Sequence, residues 1–130
     1  MGGRCRHLII SNNPLIMHNN SILTTYRLKS KEELREVFIE TRDLIHRNAS
    51  LLIHPLSGSI EPYRNPFRTI AVNDANCDFD LDSLKTIETA FARYRGNWPD
   101  ENHCEYDREI LNDFKKLDFN LIKNFIDKNE

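Results

Sequence analysis

The sequence predicts an α/β fold, a small three-layer sandwich in which helices flank a mainly parallel four-stranded sheet. Four short apolar runs bounded by turn residues have the length and composition of buried strands. Segments with helical spacing of apolar residues lie between and after these runs, and such alternation is typical of α/β domains. A length of 130 residues with 39% hydrophobic residues fits one domain, 1–130, with a sizeable core.

The first elements lie close together in the chain. The run 7–11 (HLIIS) is predicted to be the first buried strand. A short helix is expected to begin at Pro14, where a missing N–H costs nothing, and to end at Met17 or Asn20. Because β-branched and aromatic residues favour strands, the segment 22–28 is predicted to be the second strand.

A longer helix is predicted next. Ser30 and Glu33 have the spacing of a capping box, in which each side chain satisfies a free backbone amide of the first turn. The apolar face that follows has helical period over four turns, with one threonine filling a gap: Leu34, Val37, Phe38, Thr41, Leu44 and Ile45. Asn48 is expected to end this helix, and the third strand is predicted over 50–54.

The fourth strand is predicted over 67–72. The proline-rich link before it permits either a parallel crossover or an antiparallel return, and we expect the strand order 2-1-3-4. Asp80 or Asp82 is expected to cap the next helix, which Gly96 would stop.

The C-terminal segment 105–128 is predicted to be helical and to pack on this domain. Its apolar residues form one stripe: Ile110, Phe114, Leu117, Leu121 and Phe125. Asp118 could break the helix and cap a second piece. An alternative makes the stripe the surface of a homodimer rather than part of the core.

The predicted strand order also predicts a site. With the first and third strands adjacent, the winding direction changes between them, and ligands bind at the carboxyl ends of strands at such a point. The candidate ligand-binding residues follow these two strands: Asn12, Asn13, His54, Ser57, Gly58 and Ser59. The short helix that begins at Pro14 would direct its positive end there, which suits a small anionic ligand. Otherwise the two asparagines serve as turn and cap residues.

His54 is the candidate catalytic residue, because histidine can act as a general acid or base near neutral pH. In this alternative a small enzyme acts on an amino-acid-derived or phosphorylated substrate, and Asn13, Ser57 and Ser59 fix an anionic group. In the structural alternative His54 donates to a backbone carbonyl, and Gly58 supplies a positive φ in an ordinary turn. The sequence has no P-loop, dinucleotide motif or nucleophile elbow, so we favour a binding role over catalysis.

Composition excludes other classes. With 18 basic and 20 acidic residues, the chain lacks the concentrated positive charge of a nucleic-acid-binding protein. It has no apolar run near the ~20 residues that span a membrane, and no signal-peptide core, so we expect a cytoplasmic protein. The wide spacing of Cys5, Cys77 and Cys104 argues against a disulfide framework. No metal site and no cofactor is predicted, since the histidines lack ligand spacing.

Four segments share a pattern with one known family: 8–15 (LIISNNPL), 52–60 (LIHPLSGSI), 62–70 (PYRNPFRTI) and 81–84 (LDSL). Together they resemble the GrdX family. The resemblance covers roughly residues 8–95, with a weaker similarity over 113–122. The HPL-S-G-S stretch is its most specific part.

The resemblance implies the metabolic process with which the protein is associated, but it does not imply a reaction. GrdX proteins are small proteins encoded in the operon of glycine, sarcosine and betaine reductase components in amino-acid-fermenting anaerobes, and they have no established activity. The resemblance therefore implies an accessory protein whose partners are reductase components or a small anionic ligand. It transfers no catalytic residues. The sequence departs from the family pattern at Glu61, where a basic residue is expected, and at 63–65.

Overall fold

The computed structural model describes residues 7–56, 65–74, 78–94 and 106–128. The strands in these ranges are β1 (His7–Ser11), β2 (Arg27–Ser30), β3 (Ser50–Leu51) and β4 (Thr69–Asn73). The helices are α1 (Pro14–Met17), α2 (Asn20–Thr25), α3 (Leu34–His46), α4 (Leu81–Tyr94) and α5 (Arg108–Lys128). The predictions made for Cys5, Cys77, Cys104 and Gly96 lie outside the described residues.

The four strands form one mixed sheet in the order β2-β1-β4-β3. β1 and β2 run parallel, whereas β4 runs antiparallel to both of its neighbours, β1 and β3. The predicted α/β class with a four-stranded sheet is confirmed, but the mainly parallel sheet and the order 2-1-3-4 are wrong. Ile70, Ala71 and Val72 are fully buried, so β4 occupies the centre of the sheet, and an antiparallel return from β3 needs no helical crossover.

Helices cover both faces of the sheet, because successive side chains of a strand point to opposite faces. On one face, apolar residues of β1 and β4 pack against α3 and α4 in a cluster that includes Leu8, Ile10, Val37, Phe38, Ile70, Val72, Ile87 and Tyr94. On the other face, α1, α2 and α5 complete a second cluster that includes Ile9, Ile16, Ile22, Ala71, Ile122 and Ile126. The sheet thus separates two apolar cores.

The second predicted strand is the clearest local error. The segment 22–28 was expected to be extended, but its first part is the helix α2 and β2 begins only at Arg27. The side chain of Asn19 accepts the backbone N–H of Ile22 at 3.0 Å and so caps α2. This cap outweighs the strand preference of the β-branched residues that follow it.

The helix that was predicted from the capping box forms, but it begins later in the chain than predicted. Ser30 is the last residue of β2, and the capping box consists of Glu33 and Glu36, whose carboxylate accepts the Glu33 N–H at 3.0 Å. Asn48 follows the helix with a φ of 75°, the left-handed conformation that often ends helices. The predicted apolar face is confirmed, since all six of its residues are buried: Leu34, Val37, Phe38, Thr41, Leu44 and Ile45.

The remaining elements differ in length from the predictions. β3 has two residues rather than the five of 50–54, and β4 begins at Thr69 rather than at residue 67. α5 is one helix of 21 residues that continues through Asp118, because this side chain bonds to other elements instead of capping a new helix. Among the described helices, none combines the length and apolar character needed to cross a membrane.

An ion-pair cluster joins α3 to the edge strand β2. The Glu40 carboxylate lies 3.4 Å from the Lys29 ammonium and 3.1 Å from the Lys31 ammonium. Burial by itself would raise the pKa of Glu40, but the hydrogen bonds and charges of the two lysines outweigh it and hold the pKa below its ordinary value. Glu40 therefore stabilises the fold as a carboxylate.

We expect Glu40→Gln to lower the free energy of unfolding by about 0.5–1 kcal/mol at pH 7, the usual range for a partly exposed ion pair. Since the pKa is lower in the folded chain, this stabilisation is present above the ordinary value of 4.5 and is lost as the pH falls through the folded value. Urea unfolding at pH 7 and pH 3 measures the difference. Asp43→Asn, an exposed change on the same helix, is the control, and a difference that persists at pH 3 would contradict the assignment.

Candidate functional site

A buried polar network lies where β1 ends and β4 begins. Ser11, Asn12 and Asn13 leave the sheet at the edge where Thr69 starts β4, and Ser11 pairs with Thr69 in the antiparallel register. All four side chains are buried. Because buried polar groups are costly unless they are hydrogen-bonded, the partners of these groups determine what the residues can do.

Asp118 of α5 holds the centre of this network and is only 1% exposed. Its Oδ1 accepts the Thr69 backbone N–H at 2.9 Å, and its Oδ2 accepts the Thr69 hydroxyl at 2.6 Å. The Asn13 amide donates to the same Oδ2 at 3.0 Å and to the Lys115 carbonyl at 2.9 Å. One carboxylate thus joins α5 to both central strands.

The donor and the acceptor of each hydrogen bond between the hydroxyl groups of the network can be assigned. The Asn13 backbone N–H donates to Ser11 Oγ at 3.0 Å, and Ser11 Oγ lies 2.8 Å from Thr69 Oγ1. The Thr69 hydroxyl donates to Asp118, so its oxygen is left to accept, and Ser11 is the donor between the two hydroxyls. Such chains of hydrogen bonds polarise and strengthen one another in a buried environment.

Asn12 holds the chain that enters β4. Its amide nitrogen donates to the Pro66 carbonyl at 2.7 Å, and its oxygen accepts the Arg68 N–H at 2.9 Å. Asn65 assists from the other side, because its amide nitrogen donates to the Phe114 carbonyl at 3.2 Å. The side chains of Asn12 and Asn13 are thus engaged within the protein, and a ligand-binding role for them stays a prediction.

A groove beside these two asparagine positions has an acidic lining. Its volume is about 690 Å³, and it is lined by Asn12, Pro14, Met17, Ser30, Lys31, Glu32, Glu33 and Glu36. Three carboxylates against one ammonium group give a negative potential, which does not favour a small anion.

His54 lies at a second groove, between the end of β3 and the start of α4. The groove has a volume of about 340 Å³ and is lined by Leu51, Leu52, Ile53, His54, Asp80, Asp82, Ser83 and Thr86. His54 is exposed, and its Nδ1 accepts the Leu56 N–H at 3.0 Å. In the neutral ring the proton is therefore on Nε2, which is available as a donor.

On the acidic side of this second groove, side chains from the start of α4 also satisfy a backbone group of the edge strand β3. Ser83 Oγ accepts the Leu51 N–H at 2.9 Å and donates to the Asp80 carboxylate at 2.8 Å. Hydrogen bonds from the Ser83 side chain and backbone, and from the Ser50 side chain, lower the pKa of Asp80. Asp80 therefore adds a negative charge to the groove at neutral pH. Across the described residues, no three His, Cys, Asp or Glu side chains are grouped as metal ligands.

The two predicted loops are not neighbours in the sheet. β4 lies between β1 and β3, so the switch-point argument that brought Asn12 and Asn13 beside His54 does not hold. Ser57, Gly58 and Ser59 lie outside the described residues. The structure instead brings His54 together with Asp80 and Asp82.

Sequence reasoning missed Asp118 as a partner of Asn13. The available signal was a charged residue within the apolar stripe of the last helix, between Leu117 and Leu121. A buried carboxylate at such a position needs polar partners from another element.

Comparison with known proteins gives one match. A family model described as GrdX-like protein matches residues 8–127. Neither the curated proteins nor the solved structures include a match.

We expect Asp118→Ala to lower the free energy of unfolding by about 3–5 kcal/mol, because it leaves three buried donors without their acceptor. Urea denaturation at neutral pH measures this loss. Asp127→Ala, an exposed acidic residue on the same helix, is the matched control and should change stability by less than about 0.5 kcal/mol. If both variants unfold at the same urea concentration, the network does not hold α5 on the sheet.

Proposed function

The chain belongs to the GrdX-like family, and we propose that it is an accessory binding protein of glycine, sarcosine and betaine reductase systems rather than an enzyme. Support for this setting comes from the resemblance of the sequence to that family. The observation that carries the binding role is the groove between β3 and α4, where His54 is exposed beside Asp80 and Asp82. We infer that a reductase component binds there.

The chemistry of the groove favours a basic and apolar segment of the partner. Leu51, Leu52 and Ile53 supply apolar surface, and the aspartates supply negative charge. Phe79 and Leu81 flank Asp80 in the sequence and are both exposed, which extends the apolar surface. A lysine or arginine next to an apolar side chain would complement both features.

The segment that follows His54 in the sequence is part of the proposed site. We include Ser57, Gly58 and Ser59, the candidate ligand-binding residues of this segment, because they follow within five residues of His54. The described structure resumes at residue 65, and there Asn12 bonds to Pro66 and Arg68. The segment begins at His54, and in this proposal Asn12 and Asn13 act indirectly by holding its far end in place.

An enzyme with His54 as general acid or base is the second candidate. The observation in its favour is the exposed position of His54 at the groove, but Leu56 donates to Nδ1, so the neutral ring carries its proton on Nε2 and has no free nitrogen to accept another. The neighbouring Asp80 and Asp82 do not favour an anionic substrate. Thermal shift against phosphate, acyl phosphates, glycine and betaine tests this candidate, because a substrate that binds the folded chain raises its melting temperature.

We expect the double variant His54→Ala/Asp82→Asn to bind a purified reductase component at least about tenfold more weakly than the wild type does, because it removes a donor and a charge from the groove. Biolayer interferometry against each component, immobilised separately, measures the affinity. Binding by the wild type should also weaken as salt is raised, since the proposed contact is charged.

His18→Ala is the matched control for this experiment. His18 is also exposed but follows α1, on the other face of the sheet from α4. Equal affinity of the double variant and the wild type would contradict the proposed groove. A thermal shift by one of the small compounds that is lost in His54→Ala would place a small ligand at His54, and turnover of that compound would then identify an enzyme.

A further inference from the structure

α5 carries a second apolar face that the core does not use. The face toward the sheet is formed by Asp118, Ile122 and Ile126, all of which are buried. A separate row on the same helix comprises Ile110, Phe114, Leu117 and Leu121, and we name it the α5 stripe. Leu117 is 53% exposed and Ile110 is 41% exposed, while the other two residues are half-buried.

The spacing of the α5 stripe is that of a helix-pairing seam. Its residues follow one another at intervals of four, three and four, which is the alternation of the two apolar positions of a heptad. The stripe extends for about 16 Å along the helix, given a rise of about 1.5 Å per residue. We propose that the α5 stripe pairs antiparallel with the α5 stripe of a second copy of this chain.

Hydrogen-bonding complementarity between two copies of α5 specifies both the occupant and the direction. Asp113 and Asn120 border the α5 stripe on the side away from the core, and both are exposed. In the antiparallel arrangement Ile110 and Phe114 lie opposite Leu121 and Leu117 of the second copy. Asp113 then lies beside Asn120 of that copy. Because the pair is symmetric, the same contact forms a second time. An amide donates to a carboxylate in each contact. A parallel pair would instead direct Asp113 toward the row of the second copy that contains Asp118, which is buried against that copy's own sheet, so the contact with Asn120 would be lost.

The size of the seam sets the strength of the association. Four partly exposed side chains bury less than the ~800 Å² per partner of a stable interface, so the dimer is weak and forms only as concentration rises. α5 and the helix α4 cover opposite faces of the sheet, and no residue of the α5 stripe lines the groove at His54. The inference therefore stands independently of the proposed partner binding.

Sedimentation velocity of the full chain, from low micromolar to near-millimolar concentration, tests the proposal. We expect the wild type to shift from monomer to dimer, and Leu117→Lys to raise the dimer dissociation constant at least about tenfold. Leu81→Lys is the matched control, since Leu81 is 52% exposed but begins α4, and it should dimerise like the wild type. Circular dichroism establishes that each variant is folded.

A second pair of variants tests the direction. Asn120→Asp should weaken the dimer by placing two carboxylates together, and adding Asp113→Lys should restore it by placing opposite charges together. In a parallel pair positions 113 and 120 of the two copies do not face one another, so the double variant would not recover affinity lost by Asn120→Asp. A wild type that stays monomeric at every concentration, or a Leu117→Lys variant that dimerises normally, would overturn the proposal.

Discussion

The burial of one carboxylate constrains the whole arrangement. Asp118 of α5 is withdrawn from water beside two strands whose buried residues are mainly apolar, and a carboxylate in such a place is tolerated only when donors surround it. Its donors come from Thr69 at the start of β4 and from Asn13 after β1. The position of α5, the start of β4 and the turn into α1 are therefore fixed together, and none can move without leaving a buried polar group unsatisfied.

The parts of the fold that the sequence predicts well are those in which local pattern and tertiary packing agree. β1 is a short apolar run, and α3 combines helical period with a capping box, so each appears close to where its pattern places it. The segment 22–28 fails because the Asn19 cap and the β-branched residues favour different structures over the same few positions. The order of the strands fails for another reason. Which strand lies at the centre depends on contacts between distant segments, and a short-range pattern does not contain them.

For the candidate site too, the sequence indicates which residues are unusual but does not predict where the fold places them. The sequence directs attention to two segments with unusual polar residues, and of these the described structure gives hydrogen-bond partners to Asn12 and Asn13 and places His54 at a groove. Their expected meeting depended on the strand order, and β4 separates them. Asp118 lies 105 positions from Asn13 and 49 positions from Thr69, so no motif links the three. His54 and Asp80 line one groove for a related reason, since the edge strand β3 requires a side chain of α4 to satisfy the Leu51 N–H.

The network around Asp118 also determines when folding can be completed during synthesis. The strands and the first four helices leave the ribosome before α5 does, yet the Thr69 N–H and the Asn13 amide have no carboxylate to bind until Asp118 emerges. One face of the sheet also lacks Ile122 and Ile126 until then. The nascent chain therefore exposes an apolar sheet face whose polar groups at one end still bond to water, and exposed apolar surface is what chaperones recognise. The native contacts on this face of the sheet are complete only when α5 docks.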